Sequence, residues 1–204
     1  MSVRPIILWP EPWLNQLSAP VLQEEYNSDP LLELATDLVD TMRAARGVGL
    51  AAPQLGVHKR IVVVPNPEKL VEGGVLVLCN PVLTEFSEEK HRNLEGCLSL
   101  PGQTLSIERP GKVRVTAKRV DGTDFLGVWE GFSAIALQHE CDHLDGITIA
   151  DSIGPLGKSV LRKKLKKVMK VMERAQEGKR EVAKLARGAK PDPSEYALPP
   201  RRAP

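Results

Sequence analysis

The chain has 204 residues, of which 42% are hydrophobic and 26% charged, with a formal net charge of +2. Its length and apolar content suffice for one substantial core. Three cysteines give no even disulfide framework, which indicates a reducing compartment. The N-terminal residues lack the apolar core of a signal peptide, and no apolar stretch approaches the ~20 residues that span a bilayer. We therefore expect a cytoplasmic protein without a membrane partner.

The predicted elements begin with a helix that starts at Asp29-Pro30 and ends near Ala45-Arg46. Its apolar side chains recur at helical spacing, at Leu31, Leu34, Leu38, Val39 and Met42. Four strands are predicted next, at residues 61–64, 75–78, 113–117 and 124–129. A second helix follows them and stops at Gly146. Because helices and strands do not alternate, the predicted fold class is α+β, with mixed short-strand sheets packed around the second helix, which is central, and a C-terminal helical extension.

A basic segment lies near the C-terminus. Residues 158–190 hold 13 Lys+Arg against 3 Asp+Glu, a local charge of +10 that the overall charge conceals. Apolar residues keep helical spacing through it, at Leu161, Leu165, Val168, Met172 and Ala175. This predicts an amphipathic helix that is either a solvated surface element or a site of RNA contact, since clustered cations bind phosphates. We expect one domain over residues 1–157, which contains the motifs described next, the basic helix over 158–190 and a disordered tail over 191–204.

The most specific motif is His-Glu-x-x-His, formed by His139, Glu140 and His143. On a helix, both imidazoles lie on one face and can reach one metal ion, with a carboxylate beside them as a base. Ile135 and Phe132 continue the stripe of the histidines backward, so we expect this stripe to face a core. The alternative is a pair of core histidines satisfied by hydrogen bonds, and the glutamate in register argues against it.

A hydrolytic metal usually has three protein ligands and one open position, so a third ligand must lie elsewhere. His58 and His91 stand among charged residues and are predicted to be solvated. Cys79 ends an apolar run and is predicted to be buried in a strand. Cys141 points about 200° around the helix from the first histidine and is predicted to pack as an apolar thiol. Cys97 lies near glycines and a proline that could hold a ligand, but spacing alone leaves the choice open.

Three segments, in this order, resemble the three motifs of the peptide deformylases, and the similarity runs from the N-terminus to about Asp151. The segments are Gly47-Val48-Gly49-Leu50-Ala51-Ala52-Pro53-Gln54, Glu95-Gly96-Cys97-Leu98-Ser99 and Gln138-His139-Glu140-Cys141-Asp142-His143. The resemblance implies that Cys97, His139 and His143 bind one divalent metal ion per chain. This donor set suits Fe²⁺, Zn²⁺, Ni²⁺ or Co²⁺, and we expect Fe²⁺ in the cell.

The resemblance also implies how catalysis is divided among the side chains. The metal lowers the pKa of its bound water, and the resulting hydroxide attacks the formyl carbon. Glu140 shuttles the proton from that water to the departing amine. The side-chain amide of Gln54 and the backbone N–H of Leu98 stabilise the negative charge that grows on the formyl oxygen.

An extended peptide would pair with the backbone near Val48, Gly49 and Gly96, where glycine permits close approach. The resemblance places the methionine of an N-formylmethionyl peptide in an apolar pocket with Ile135 and Ala136 among its walls. Family members often carry an arginine shortly after the cysteine motif that reaches the peptide, and residues 103–106 contain none. The outer substrate contacts are therefore not predicted.

Contacts that orient the metal ligands are predicted for three charged residues. Glu95 is expected to pair with a basic residue such as Arg109, and Asp142 to orient a ligand or form a salt bridge. The sequence as a whole predicts metal-dependent removal of the formyl group from N-formylmethionine of nascent polypeptides, with release of formate, by an enzyme that contacts the ribosome or rRNA through its basic helix.

Two alternatives belong to other classes. A zincin-like endopeptidase shares the histidine motif but takes its third ligand downstream, and no histidine follows His143. A non-enzymatic, ribosome-associated module with a structural metal would not need Glu140 and Gln54.

Overall fold

A computed structural model describes residues 3–188. The predicted tail, residues 191–204, lies outside them. The chain divides into two compact units, Met1–Arg162 and Lys163–Pro204. The first unit contains the whole of the predicted catalytic domain. Within residues 3–188, no helix is long and apolar enough to cross a bilayer.

Residues 3–188 form three α-helices and seven strands. The helices are α1 (Asp29–Ala44), α2 (Gly131–Leu144) and α3 (Pro155–Gly188). The strands are β1 (Leu50–Ala51), β2 (Ile61–Pro65), β3 (Val75–Thr84), β4 (Lys90–Gly96), β5 (Thr104–Pro110), β6 (Lys112–Lys118) and β7 (Asp124–Glu130). Five strands form an antiparallel sheet in the order β1-β2-β3-β6-β7, while β4 and β5 form a separate antiparallel hairpin.

All four predicted strands and all three predicted helices are confirmed. Where limits were predicted, they agree with the structure to within a few residues, except that β3 runs on to Thr84. The α+β class is also confirmed. The hairpin of β4 and β5 was not predicted. Strand β4 carries the sequence Lys-His-Arg-Asn-Leu-Glu-Gly, whose side chains are mostly exposed, so it lacks the apolar alternation that marks a half-buried strand.

Strand β2 separates two hydrophobic clusters because successive side chains of a strand point to opposite faces. Ile61 and Val63 pack in the cluster that contains Leu38 of α1, and Val62 and Val64 pack in the cluster that contains Leu137 of α2. Every side chain of β2 is buried, which explains its unbroken apolar run. The central helix α2 is therefore fixed by its packing on the sheet, and the metal-binding motif is held with it.

We expect Leu38→Ala to destabilise the protein by about 2–5 kcal/mol, because the fully buried side chain leaves a cavity between α1 and the sheet. Urea-induced unfolding measures the change. Leu32→Ala is the matched control on the same helix: its side chain is 40% exposed, and the variant should change stability by about 0.5 kcal/mol or less. Equal effects of the two substitutions would contradict the assignment of Leu38 to the core.

Candidate active site and metal centre

The two motif histidines lie side by side on α2. His139 and His143 are 8% and 1% exposed, and their ring centroids are 5.2 Å apart. Their expected position on one helix face is confirmed. The prediction that the stripe of Phe132, Ile135 and the histidines faces a core is wrong. Phe132 is 51% exposed and lines a cavity together with Ile135. The core-facing side of α2 is instead formed by Ala134, Leu137, Cys141 and Leu144.

Cys97 completes a three-residue cluster with these histidines. It follows β4 directly, and its Sγ lies 3.2 Å from Nε2 of His143. One donor atom from each of Cys97, His139 and His143 falls within 4.8 Å of the others, and residues 3–188 contain no second group of this kind. The set of one thiol and two imidazoles, converging from two elements, fits a tetrahedral divalent ion with one position left open.

The electrostatics of the cluster favour a thiolate ligand. Burial alone would raise the pKa of Cys97, but the attraction of His143 and hydrogen bonds from His139 and His143 lower it to about 5. By contrast, burial raises the pKa of Cys79 to about 12 and also raises that of Cys141. Both of these cysteines are buried in the core, as predicted. Cys97 is thus the thiol whose surroundings stabilise the charged, metal-binding form.

Glu140 lies beside the cluster with a free carboxylate oxygen. It is 5% exposed, and its Oε2 is buried without a hydrogen-bond partner in the described part of the chain. Burial raises the pKa of Glu140 to about 7, against the lowering effect of His139 and His143. A Cβ atom added to Gly49 would overlap this carboxylate, so the glycine leaves room for Glu140 as well as for a peptide.

The side-chain amide of Gln54 is held in one orientation by hydrogen bonds at both of its ends. Its Oε1 accepts a hydrogen bond from Ala51 N at 2.9 Å, and its Nε2 donates to Ser99 Oγ at 3.0 Å. The same Nε2 lies 3.6 Å from Cys97 Sγ, so it is directed at the metal cluster. The backbone N–H of Leu98 donates to no acceptor among residues 3–188. Both predicted oxyanion donors therefore lie next to Cys97, and the structure adds Ser99 as a contact that sequence reasoning did not assign.

A buried charge network joins the hairpin to α2. Arg109 of β5 contacts both carboxylate oxygens of Glu95, through Nε at 2.6 Å and Nη2 at 3.0 Å. Its Nη1 contacts Asp142 Oδ2 at 2.8 Å, and Glu95 Oε2 lies 2.8 Å from His139 Nδ1. The predicted pairing of Glu95 with Arg109 is confirmed, and Asp142 forms the salt bridge. Because Glu95 holds Nδ1, the Nε2 of His139 is left to face the cluster.

Two adjacent cavities border the cluster. The first, about 500 Å³, is lined by Gly47, Gly49, Gln54, Cys97 and Leu98 among others. The second, about 400 Å³, is lined by Ile135 and Ala136 together with Phe132 and Leu94. Val48, Gly96, His139 and Glu140 border both. All residues predicted to bind substrate thus lie on these two cavities. Arg46, just after the end of α1, adds a positively charged side chain to the lining of the first cavity. The sequence alone did not single out this residue.

The two remaining histidines lie apart from the cluster. His91 has a half-exposed side chain, in agreement with the prediction. The prediction for His58 is wrong: its ring stacks on Trp13 with centroids 3.9 Å apart, and both ring nitrogens are buried without a partner among the described residues. Burial lowers the pKa of His58. Charged neighbours in the sequence did not reveal this, because Trp13 reaches the ring from a distant segment.

Comparison with known proteins identifies the family. The polypeptide deformylase family model matches residues 3–159. A peptide deformylase of Pseudomonas aeruginosa is 41% identical over 167 residues, which cover 82% of this chain and 96% of the relative. The chain belongs to the polypeptide deformylase family. Membership of this family excludes both the zincin-like endopeptidase and the non-enzymatic module. The protein is accordingly a hydrolase, and its family and fold support removal of the formyl group from nascent peptides.

Solved structures show the same fold. A peptide deformylase from Legionella pneumophila superposes with a TM-score of 0.76 at 35% identity, covering 85% of this chain and 99% of that one. A class I type b peptide deformylase from Acinetobacter baumannii with bound Met-Ala-Ser gives a TM-score of 0.69 at 39% identity, covering 75% of this chain and 100% of that one. The resemblance noted from three short motifs therefore extends over most of the chain.

We expect Glu95→Gln to weaken metal binding by about 10- to 100-fold, because the amide cannot hold both Arg109 and His139 as the carboxylate does. Competition with a chromogenic chelator measures the affinity. Glu108→Gln is the control, since Glu108 pairs with Arg92 on the exposed side of the hairpin and should not affect the metal. Unchanged affinity in Glu95→Gln would contradict the role of the network.

Proposed function

We propose that the protein hydrolyses the N-formyl group of N-formylmethionyl peptides with one divalent metal ion held by Cys97, His139 and His143. The observation that carries this proposal is the convergence of these three donors beside a buried, unpartnered carboxylate and a fixed amide donor. Several divalent ions bind to one thiolate and two imidazoles. We expect Fe²⁺ in the cell, with Zn²⁺, Ni²⁺ or Co²⁺ as replacements.

The bound ion would supply Lewis acidity, which polarises the formyl carbonyl and makes water a competent nucleophile near neutral pH. Glu140 removes the proton from the attacking water, and its burial favours uptake of that proton. Gln54 Nε2 and Leu98 N–H donate hydrogen bonds to the formyl oxygen as negative charge develops there. Glu140 then passes the proton to the departing nitrogen as the C–N bond breaks, so that formate and the free amine are released.

The cavity beside α2 would take the side chain of the first residue. Ile135 and Ala136 form part of its apolar wall, and Val48 and Gly96 lie where both cavities meet. An extended peptide can pair with the backbone of Val48, Gly49 and Gly96, as peptides do with exposed strand edges. The Met-Ala-Ser bound to the Acinetobacter baumannii relative supports a substrate that begins with methionine.

We expect Glu140→Gln to keep the metal while the rate of formate release from formyl-Met-Ala-Ser falls by at least about 10²- to 10⁴-fold, the contribution of a general acid-base group. Metal analysis and a coupled formate assay on the same preparation measure both quantities. Glu130→Gln, an exposed position just before α2, is the control and should retain full activity. Near wild-type turnover of metal-loaded Glu140→Gln would exclude the shuttle role.

We also propose that the second unit contacts the ribosome or rRNA. Lys163, Lys164, Lys166, Lys167 and Lys170 are exposed along the described part of α3. Closely spaced cations bind phosphates through counterion release, independently of sequence.

The full-length variant in which Lys163, Lys164, Lys166 and Lys167 are replaced by Gln should lose ribosome co-sedimentation at moderate salt and keep its activity on short peptides. Each lost phosphate contact should lower the slope of log affinity against log salt by about 0.9 or less. The control removes four charges elsewhere, at Lys69, Lys90, Lys112 and Lys118. Equal loss in both variants, or in neither, would show that α3 is not the specific contact.

A further inference from the structure

One face of β4 forms a wall of the cavity beside α2. Side chains two positions apart on a strand point the same way, so His91, Asn93 and Glu95 share this face. Glu95 is tied to the metal ligand His139 by the 2.8 Å contact to Nδ1. Asn93 therefore lies about 7 Å further along the strand from the metal centre, and both Asn93 and His91 line the cavity.

The opposite wall is apolar and extends over the same length. On α2, Phe132 precedes His139 by seven positions, which corresponds to about 10 Å along the helix axis. Ile135 and Ala136 lie between them and line the cavity, together with Val48. The cavity thus extends from the metal centre along apolar side chains and passes Asn93, a polar residue of the β4 wall.

One hydrogen bond orients the Asn93 amide. Its Nδ2 donates a hydrogen bond to the backbone carbonyl of His91 at 3.2 Å. Because a carbonyl can only accept, the atom that faces it must be the nitrogen. Oδ1 accepts no hydrogen bond from any residue between 3 and 188, and the second hydrogen of Nδ2 is also unused there. A substrate side chain that fills the cavity would take these groups away from water.

We propose that Asn93 sets specificity in the first-residue cavity, favouring side chains that bring a hydrogen-bonding atom to this wall over hydrocarbon ones. This inference rests on the proposed function. The thioether of methionine is a weak acceptor. The oxygen of methionine sulfoxide is a strong acceptor and can take the free hydrogen of Nδ2, so formyl-methionine-sulfoxide peptides are substrates. A norleucine side chain offers no partner and leaves the carboxamide desolvated and unpaired.

The test compares kcat/KM for formyl-Met-Ala-Ser and for its methionine sulfoxide and norleucine analogues, using metal-loaded full-length protein. In Asn93→Leu the ratio of sulfoxide to norleucine activity should fall by about 3- to 10-fold, which corresponds to one neutral hydrogen bond. The nearly isosteric Asn93→Asp should lower the same ratio, because a carboxylate cannot donate to the sulfoxide oxygen.

Arg92→Leu is the matched control. Its side chain is 72% exposed, pairs with Glu108 and lies on the other face of β4, so the ratio should stay at the wild-type value. If both Asn93 variants hydrolyse formyl-Met-Ala-Ser with an unchanged ratio, the assignment of Asn93 is wrong although the proposed function stands. If the metal-loaded wild-type protein releases no formate from any of the three peptides, the proposed function itself fails, and this inference fails with it.

Discussion

The buried contacts of Glu95 are the interaction on which the site depends. This carboxylate holds His139 Nδ1 on α2 and the guanidinium of Arg109 on β5, and Arg109 in turn holds Asp142. Cys97 follows Glu95 by two positions, so the same contacts that orient one metal ligand also place another. Removing one partner of such a network leaves an uncompensated buried charge, which costs about 3–5 kcal/mol. The hairpin and the helix are therefore locked at the distance that the metal requires.

The burial of Glu140 beside the metal cluster lowers local stability. Glu140 is buried with an unpartnered oxygen, and Gly49 provides the space that it occupies. Burying a carboxyl group without a hydrogen-bond partner is unfavourable, and the raised pKa of Glu140 expresses that cost. The packing of α2 on the sheet offsets it, since the core side of this helix is almost entirely apolar. A rigid scaffold thus maintains a side chain in a state suited to proton transfer.

The substrate side of the site is made by elements that meet around the metal cluster. The segment after α1 supplies Val48 and Gly49, the hairpin supplies Gly96 and Asn93, and α2 supplies its exposed apolar side chains. Phe132 is exposed because it faces this cavity rather than the core. One face of α2 therefore lines a cavity while its other face packs in the core, and both faces carry apolar side chains for that reason.

The sequence by itself determined whatever depends on a single element: the presence of the three helices and of four strands, the shared face of His139 and His143, and the burial of Cys79. These follow from local periodicity, which the backbone geometry of one helix or strand fixes. Spacing left the third ligand open and only the resemblance implied Cys97, so the tertiary structure decided that Cys97 meets the histidines, as it decided that Phe132 borders a cavity and that Trp13 covers His58. Those distances join segments far apart in the chain, so strand pairing and core packing set them, and no local pattern encodes them.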